Sequence, residues 1–159
     1  MSYISKVRAL VGTERIFNPG VRALIVNSAG EILLQRRSDT GHWCLPAGGV
    51  ELGETAFEAL RREIFEETGL TVLEAEPMAL YSGPGQQFEY PNGDQIQGFA
   101  VGFIVRKWSG TPRADGDEGL EVRFWPLDRL PENLVPRHLG TIRDFLGYDG
   151  KFIPQGSDS

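Results

Sequence analysis

The segment Gly48-Gly49-Val50-Glu51-Leu52-Gly53-Glu54-Thr55-Ala56-Phe57-Glu58-Ala59-Leu60-Arg61-Arg62-Glu63-Ile64-Phe65-Glu66-Glu67-Thr68-Gly69-Leu70 joins a glycine-rich turn to a run with no internal breaker. Thr55–Thr68 contains neither Gly nor Pro, and Gly69 follows as a stop signal, which predicts one helix of about four turns. Successive helical residues rotate by about 100°, so with Glu63 at zero, Glu66 falls near about −60° and Glu67 near about +40°. Three carboxylates therefore share one face. Ala56 and Ala59 lie on that same face and leave it shallow, while Phe57, Leu60 and Ile64 form an apolar stripe predicted to face the core.

Like charges at neighbouring helical positions destabilise a helix by a few tenths of a kcal/mol (~0.2–0.5). A divalent cation between them removes that penalty. All-oxygen ligation suits hard ions, Mg²⁺ or Mn²⁺, which combine a few carboxylates with waters and substrate phosphates. A solvated acidic face is the alternative for an arbitrary Glu-x-x-Glu-Glu helix, and the preceding turn is what argues against it. Its glycines let backbone carbonyls approach a metal or phosphate closely.

On the N-terminal side of the turn, Val21–Val26 reads as a buried strand, Asn27–Gly30 as a turn and Ile32–Arg37 as a second strand, predicting a hairpin. Trp43–Pro46 is a short extended piece. On the C-terminal side, Thr71–Tyr81 reads as a strand. Gln87–Tyr90 and Gln95–Val105 flank Pro91-Asn92-Gly93-Asp94, whose Asn-Gly predicts a second hairpin. Ser109–Gly119 is a loop, Glu121–Trp125 a strand, Asp128–Leu130 a short turn and Arg137–Phe145 a helix. Tyr3, Ile4, Val7 and Leu10 predict a short amphipathic helix packed on the domain. Strands on both sides of a central helix, joined by hairpins, indicate a mixed α/β (α+β) sandwich rather than a doubly wound parallel sheet. A single domain over residues 1–154 is expected, with 155–159 a disordered tail.

Composition narrows the function. The 159 residues carry 16 basic and 22 acidic side chains, a net charge of −6, so generic attraction to nucleic-acid polymers or anionic lipid is not expected. Glu51 to Glu67 alone hold six glutamates and two arginines, a net −4. The single Cys44 excludes an internal disulfide, and two histidines exclude a histidine-rich metal site. No apolar run approaches the roughly 20 residues of a membrane span, and no signal peptide is evident, so a cytoplasmic protein is expected.

The spacing Gly48, five residues, Glu54, seven residues, Arg62-Glu63-Ile64-x-Glu66-Glu67-x-Gly69-Leu70 resembles the box of the Nudix hydrolases, and it agrees at every specified position. The likeness covers roughly Val21 to Leu130. It implies an α/β/α sandwich with a mixed sheet and a central catalytic loop–helix–loop. It also implies a metal-dependent hydrolase that cleaves a phosphoanhydride in a nucleoside diphosphate linked to another moiety. By that resemblance Glu63, Glu66 and Glu67 are metal ligands, joined by the carbonyl of Ala47 or Gly48. Arg62 and Glu54 orient the acids. The general base is either a box glutamate, Glu63 or Glu66, or an acid of the distal loop, where Glu118 is favoured over Asp115, Asp117 and Glu121. Alanine at position 47 departs from the Gly-Gly frequent in the family and leaves Gly48 intact. Dimers are common among such proteins, so a homodimer is one assembly to expect.

Substrate contacts are less defined. Arg36 and Arg37 end a strand, and alternation lets only one of them face the site, where it would meet phosphate. Trp43, Phe88 and Tyr90 are candidates to stack on a base. Two further readings compete. A nucleotide-sensing module on the same fold would commonly have lost box glutamates, which this chain retains. An isomerase acting on an isoprenoid diphosphate would need a different acid/base set, commonly with a cysteine, which makes Cys44 the residue to examine.

Overall fold

The computed structural model describes residues 1–159, in the order α1 (Tyr3–Val11), β1 (Ile16–Ile25), β2 (Ile32–Arg37), β3 (Trp43–Cys44), β4 (Ala47–Gly49), α2 (Ala56–Thr68), β5 (Thr71–Tyr81), β6 (Gln87–Glu89), β7 (Gln95–Ser109), β8 (Gly119–Trp125) and α3 (Pro136–Leu146). One mixed sheet runs β4-β1-β7-β5, with β6 also paired to β7, and a second, antiparallel sheet runs β3-β2-β8. The pairing of β1 with β7 is parallel and the other pairings of the large sheet are antiparallel. No helix is long and apolar enough to cross a membrane.

Strand alternation divides the core in two. Val21, Ala23 and Ile25 of β1, with Phe103 and Val105 of β7, point to one face, where Ala59, Leu60 and Ile64 of α2 cover them. Leu24 and Ile104 point to the other face, toward Ile142 of α3 and the small sheet's Ile32 and Leu34. A central strand covered on both faces is apolar on both, which is why β1 reads as a run rather than an alternation, with Arg22 its one buried charge. A helix over each face of the mixed sheet gives the layered α/β/α arrangement, and the mixed α+β fold class stands.

Three expectations need correction. The first hairpin does not form as a ladder: β1 and β2 meet in a single bridge, Val26 to Ile32, and then part into different sheets. Both strands are buried on both faces, and each finds further partners that a two-stranded ribbon would not supply. Phe57 is 37% exposed, so the helix core stripe is carried by Ala59, Leu60 and Ile64 instead. The N-terminal helix forms, yet none of its residues is buried, and Leu10 is 86% exposed. Polar ties hold it: the Tyr3 N–H donates to both Glu51 carboxylate oxygens at 3.2 Å, and Arg8 reaches the Gln95 carbonyl and Asp94.

The second hairpin is present, with Gln87, Phe88 and Glu89 opposite Gln97, Ile96 and Gln95. Residues 155–159, expected to be disordered, run along β5 and α3: the Gly156 N–H donates to the Leu80 carbonyl, and the Ser157 N–H to Asp144 at 2.8 Å.

Candidate active site

Helix α2 is set at both ends by local chemistry. Thr55 caps α2 by accepting from the Glu58 N–H, while the Glu58 carboxylate accepts from the Thr55 N–H. Such a reciprocal box satisfies two otherwise orphaned donors. Gly69 ends the helix in the left-handed region at φ 76°, where a side chain would be strained. Between these stops α2 packs beside β4, and β4 is the turn segment Ala47–Gly49. The predicted loop–helix–loop is thus a physical unit.

Arg62 is its hub. Its Nε donates to Glu54 Oε2 at 2.7 Å, and its Nη2 donates to Glu54 Oε1 and to the Gly49 carbonyl, both at 2.9 Å. Its Nη1 meets Glu63 at 2.8 Å and Glu66 at 3.4 Å. One guanidinium therefore ties turn, helix and three carboxylates together. The Glu63 carboxyl lies against Gly48, where an added Cβ would fall 2.1 Å from Glu63 Cδ. A side chain at 48 would displace the Glu63 carboxyl from this position.

Glu67 is only 4% exposed, and its carboxylate accepts from the Ala47 N–H at 3.1 Å. Burial, then the Glu63 charge, pushes its carboxyl well above the usual carboxylate range. Burial also raises Glu63, with Arg62 opposing the rise. No three acidic, histidine or cysteine side chains converge closely enough to enclose a cation as they stand. Glu63 and Glu66 are turned to Arg62, and Glu67 to a backbone amide. Even so, an all-oxygen donor set, one member of which is buried with its charge uncompensated, fits a hard divalent ion and no soft one.

These acids line a cleft of about 810 Å³. Ala47, Gly48, Arg37, Tyr90 and Glu118 line it too, so most predicted site residues meet in one place. Burial, followed by the charges of Asp115 and Asp117, raises the Glu118 carboxyl above its ordinary value. Of the arginine pair, Arg37 faces the cleft and donates to both Asp39 oxygens, at 2.9 and 2.6 Å. Arg36 does not line it and lies 3.9 Å from Glu121, which corrects its assignment as a substrate contact. Trp43 is a second correction. It is 7% exposed, packs edge-on against Trp125 with ring centroids 5.1 Å apart, and takes no part in the cleft wall. Cys44 is buried, and burial pushes its thiol up to about 12, so it is no nucleophile.

A narrower arm of about 100 Å³ opens from the main cleft and shares with it Asn18, Gln35, Arg37 and Tyr90. Phe88 lines this arm, as do two residues that sequence reasoning missed, Arg22 and Arg137. Arg22 carried a signal: a charge inside the apolar run Val21–Val26. Arg137 at the start of α3 carried none.

The NUDIX domain family model matches residues 16–145. An ADP-ribose pyrophosphatase from Methanocaldococcus jannaschii is 36% identical over 125 residues, covering 77% of this chain and 69% of that protein. An 8-oxo-dGTP diphosphatase from Haemophilus influenzae is 36% identical over 133 residues, covering 77% and 92%. Among solved structures, the MutT NUDIX hydrolase from Burkholderia pseudomallei superposes with a TM-score of 0.69 at 28% identity, covering 80% of this chain and 97% of that one. With the full glutamate box folded as a loop–helix–loop and the family model spanning most of its length, this chain belongs to the NUDIX domain family and is a Nudix hydrolase.

Proposed function

We propose that the protein hydrolyses a phosphoanhydride bond in a nucleoside diphosphate linked to another moiety, using Mg²⁺ or Mn²⁺ held by Glu63, Glu66 and Glu67 with a carbonyl of Ala47 or Gly48. The observation that carries this reading is the Arg62 hub, which presents Glu63 and Glu66 to the same cleft as the buried Glu67. A bound divalent ion would screen phosphate charge and make water more acidic. The chain's own residues supply the rest. Arg62 and Glu54 hold the acids in register, and Arg37 at the cleft wall meets a phosphate oxygen. Glu118, on the facing loop with a raised proton affinity, takes the proton from the attacking water.

Relatives named for 8-oxo-dGTP and for ADP-ribose support a nucleotide diphosphate substrate without choosing the base. A panel of nucleoside triphosphates, 8-oxo-dGTP, ADP-ribose and other nucleotide sugars, each with Mg²⁺ and with Mn²⁺, tests the proposal by product identification. Release of a nucleoside monophosphate from at least one member is expected. Saturable nucleotide binding with no turnover across the panel would overturn the reading in favour of a sensing module.

A further inference from the structure

The narrow arm has a charge balance opposite to that of the main cleft. Three arginines, Arg22, Arg37 and Arg137, line it, and no Asp or Glu does. Arg37 is already neutralised by Asp39. Arg22 and Arg137 are not.

Arg22 is 5% exposed, on the α3 side of β1. Its guanidinium donates to Thr141 Oγ1 at 3.1 Å and to Gln86 Oε1, and sits 4.7 Å from the centre of the Tyr81 ring. All three partners are neutral. Gln86 in turn keeps a buried Nε2 donor with no partner. Burial, and then the charge of Arg137, lowers Arg22 to about 10. Arg137 stacks on Phe88, its Cζ 3.6 Å from the ring centre, and burial lowers its proton affinity too; no carboxylate acts on it. Two half-desolvated or fully desolvated guanidinium groups that repel each other are expensive to hold without a counterion. The fold has retained them at the wall of a cleft.

Arg137 already covers one face of the Phe88 ring, and Tyr90 packs against that ring in a T-shaped pair with centroids 4.9 Å apart. We propose that the arm is a second anion site, which takes a phosphate monoester carried by the substrate on the moiety beyond the scissile diphosphate, held by Arg22 and Arg137. Guanidinium donors match a phosphate in bidentate geometry, whereas a neutral base edge would leave both charges uncompensated. Without a cation, Glu63, Glu66 and Glu67 of the main cleft repel such a group, which leaves the arm as the part of the cavity that attracts it. Only the placement of the phosphate relative to the scissile bond rests on the hydrolase reading; the anion site does not.

Binding to the full chain in EDTA tests this, because chelation removes any metal route for phosphate into the acidic cleft. Inorganic phosphate and ribose 5-phosphate are titrated, with ribose and guanosine as uncharged probes. Calorimetry and the arginine Nε–Hε nuclear magnetic resonance signals provide the readouts. Saturable binding of both phosphates is expected, with shifts of Arg22 and Arg137 signals, no binding of ribose or guanosine, and affinity at least tenfold weaker in Arg137→Met. Arg137 lies at a helix start, so this variant is expected to melt as the parent does; Arg137→Gln provides a second variant of different packing. Absence of saturable phosphate binding, affinity unchanged in both variants, or binding of guanosine in place of phosphate would each overturn the proposal. Phosphate binding in EDTA together with a substrate panel that shows no turnover would sink the hydrolase reading and leave this one standing.

Discussion

Replacing Glu67 by glutamine separates stability from activity. In the fold this carboxyl is 4% exposed, receives a hydrogen bond from the Ala47 N–H and faces the Glu63 charge. Glutamine keeps an acceptor for Ala47 and removes the buried charge. The folded carboxyl is harder to ionise than the unfolded one, so the wild-type penalty begins as pH rises above about 4.3, the unfolded value, and is fully present above the folded value. At pH 7.5 and without metal, Glu67→Gln is therefore more stable than wild type. An uncompensated buried carboxylate costs several kcal/mol, part of which is relieved here by Ala47 and Gln35, leaving a gain of about 2 kcal/mol. For a chain of this size that is roughly 4–8 °C in melting temperature. The assay is thermal unfolding in EDTA and again in Mg²⁺. A metal at ten times its dissociation constant stabilises the folded state by about 1.4 kcal/mol, so Mg²⁺ should raise the melting temperature of wild type and leave the variant unmoved. Turnover in the variant should fall by about two orders of magnitude or more. A variant destabilised in EDTA at pH 7.5, or one that still gains stability from Mg²⁺, would refute the account of Glu67.

Two other outcomes follow from the geometry. Gly48→Ala places a methyl group 2.1 Å from Glu63 Cδ, and because the obstacle is the end of a flexible side chain, the chain should still fold while kcat drops at least tenfold; a variant with full kcat would show that the Glu63 position is not required. His138 is buried and accepts from the Leu45 N–H through Nδ1, and burial, with Arg22, Arg137 and Arg37, holds it well below its ordinary proton affinity. Below about pH 6.5 the unfolded chain binds a proton that the folded chain refuses, so stability should fall by up to about 1.4 kcal/mol per pH unit, until the folded histidine itself titrates. Urea unfolding at pH 7.5 and 5.5 measures this, and an unchanged pH dependence in His138→Asn would remove the assignment.

The loop–helix–loop was legible because its signals are local. Thr55, Glu58 and Gly69 specify where α2 starts and stops, and helical geometry alone puts Glu63, Glu66 and Glu67 on one face. The family likeness put Arg62 and Glu54 beside the acids, and their ion pair with each other is something only the fold displays. Strand partners were less legible, since β1 and β2 are apolar on both faces and such runs carry no record of which neighbour they bond. Aromatic roles depended on the same missing information: Trp43 and Phe88 look alike as residues, and only the packing of Trp125 and Arg137 distinguishes core from cleft. The N-terminal helix was misjudged for a related reason. Its apolar spacing is real, but Glu51 and Asp94, remote in sequence, decide how it is attached. Arg22 was the one missed residue with a visible mark, a charge within a buried strand.

If the box glutamates act through a divalent cation to hydrolyse a diphosphate, turnover must follow the metal. The measurement is turnover of the best panel substrate in protein stripped with EDTA, then restored with Mg²⁺, beside Glu66→Gln carried through the same steps. The account predicts loss of turnover on chelation, recovery of the wild type on Mg²⁺ addition, and no recovery of the correctly folded variant. Hydrolysis that persists in EDTA, or a Glu66→Gln protein that recovers equally, would contradict it.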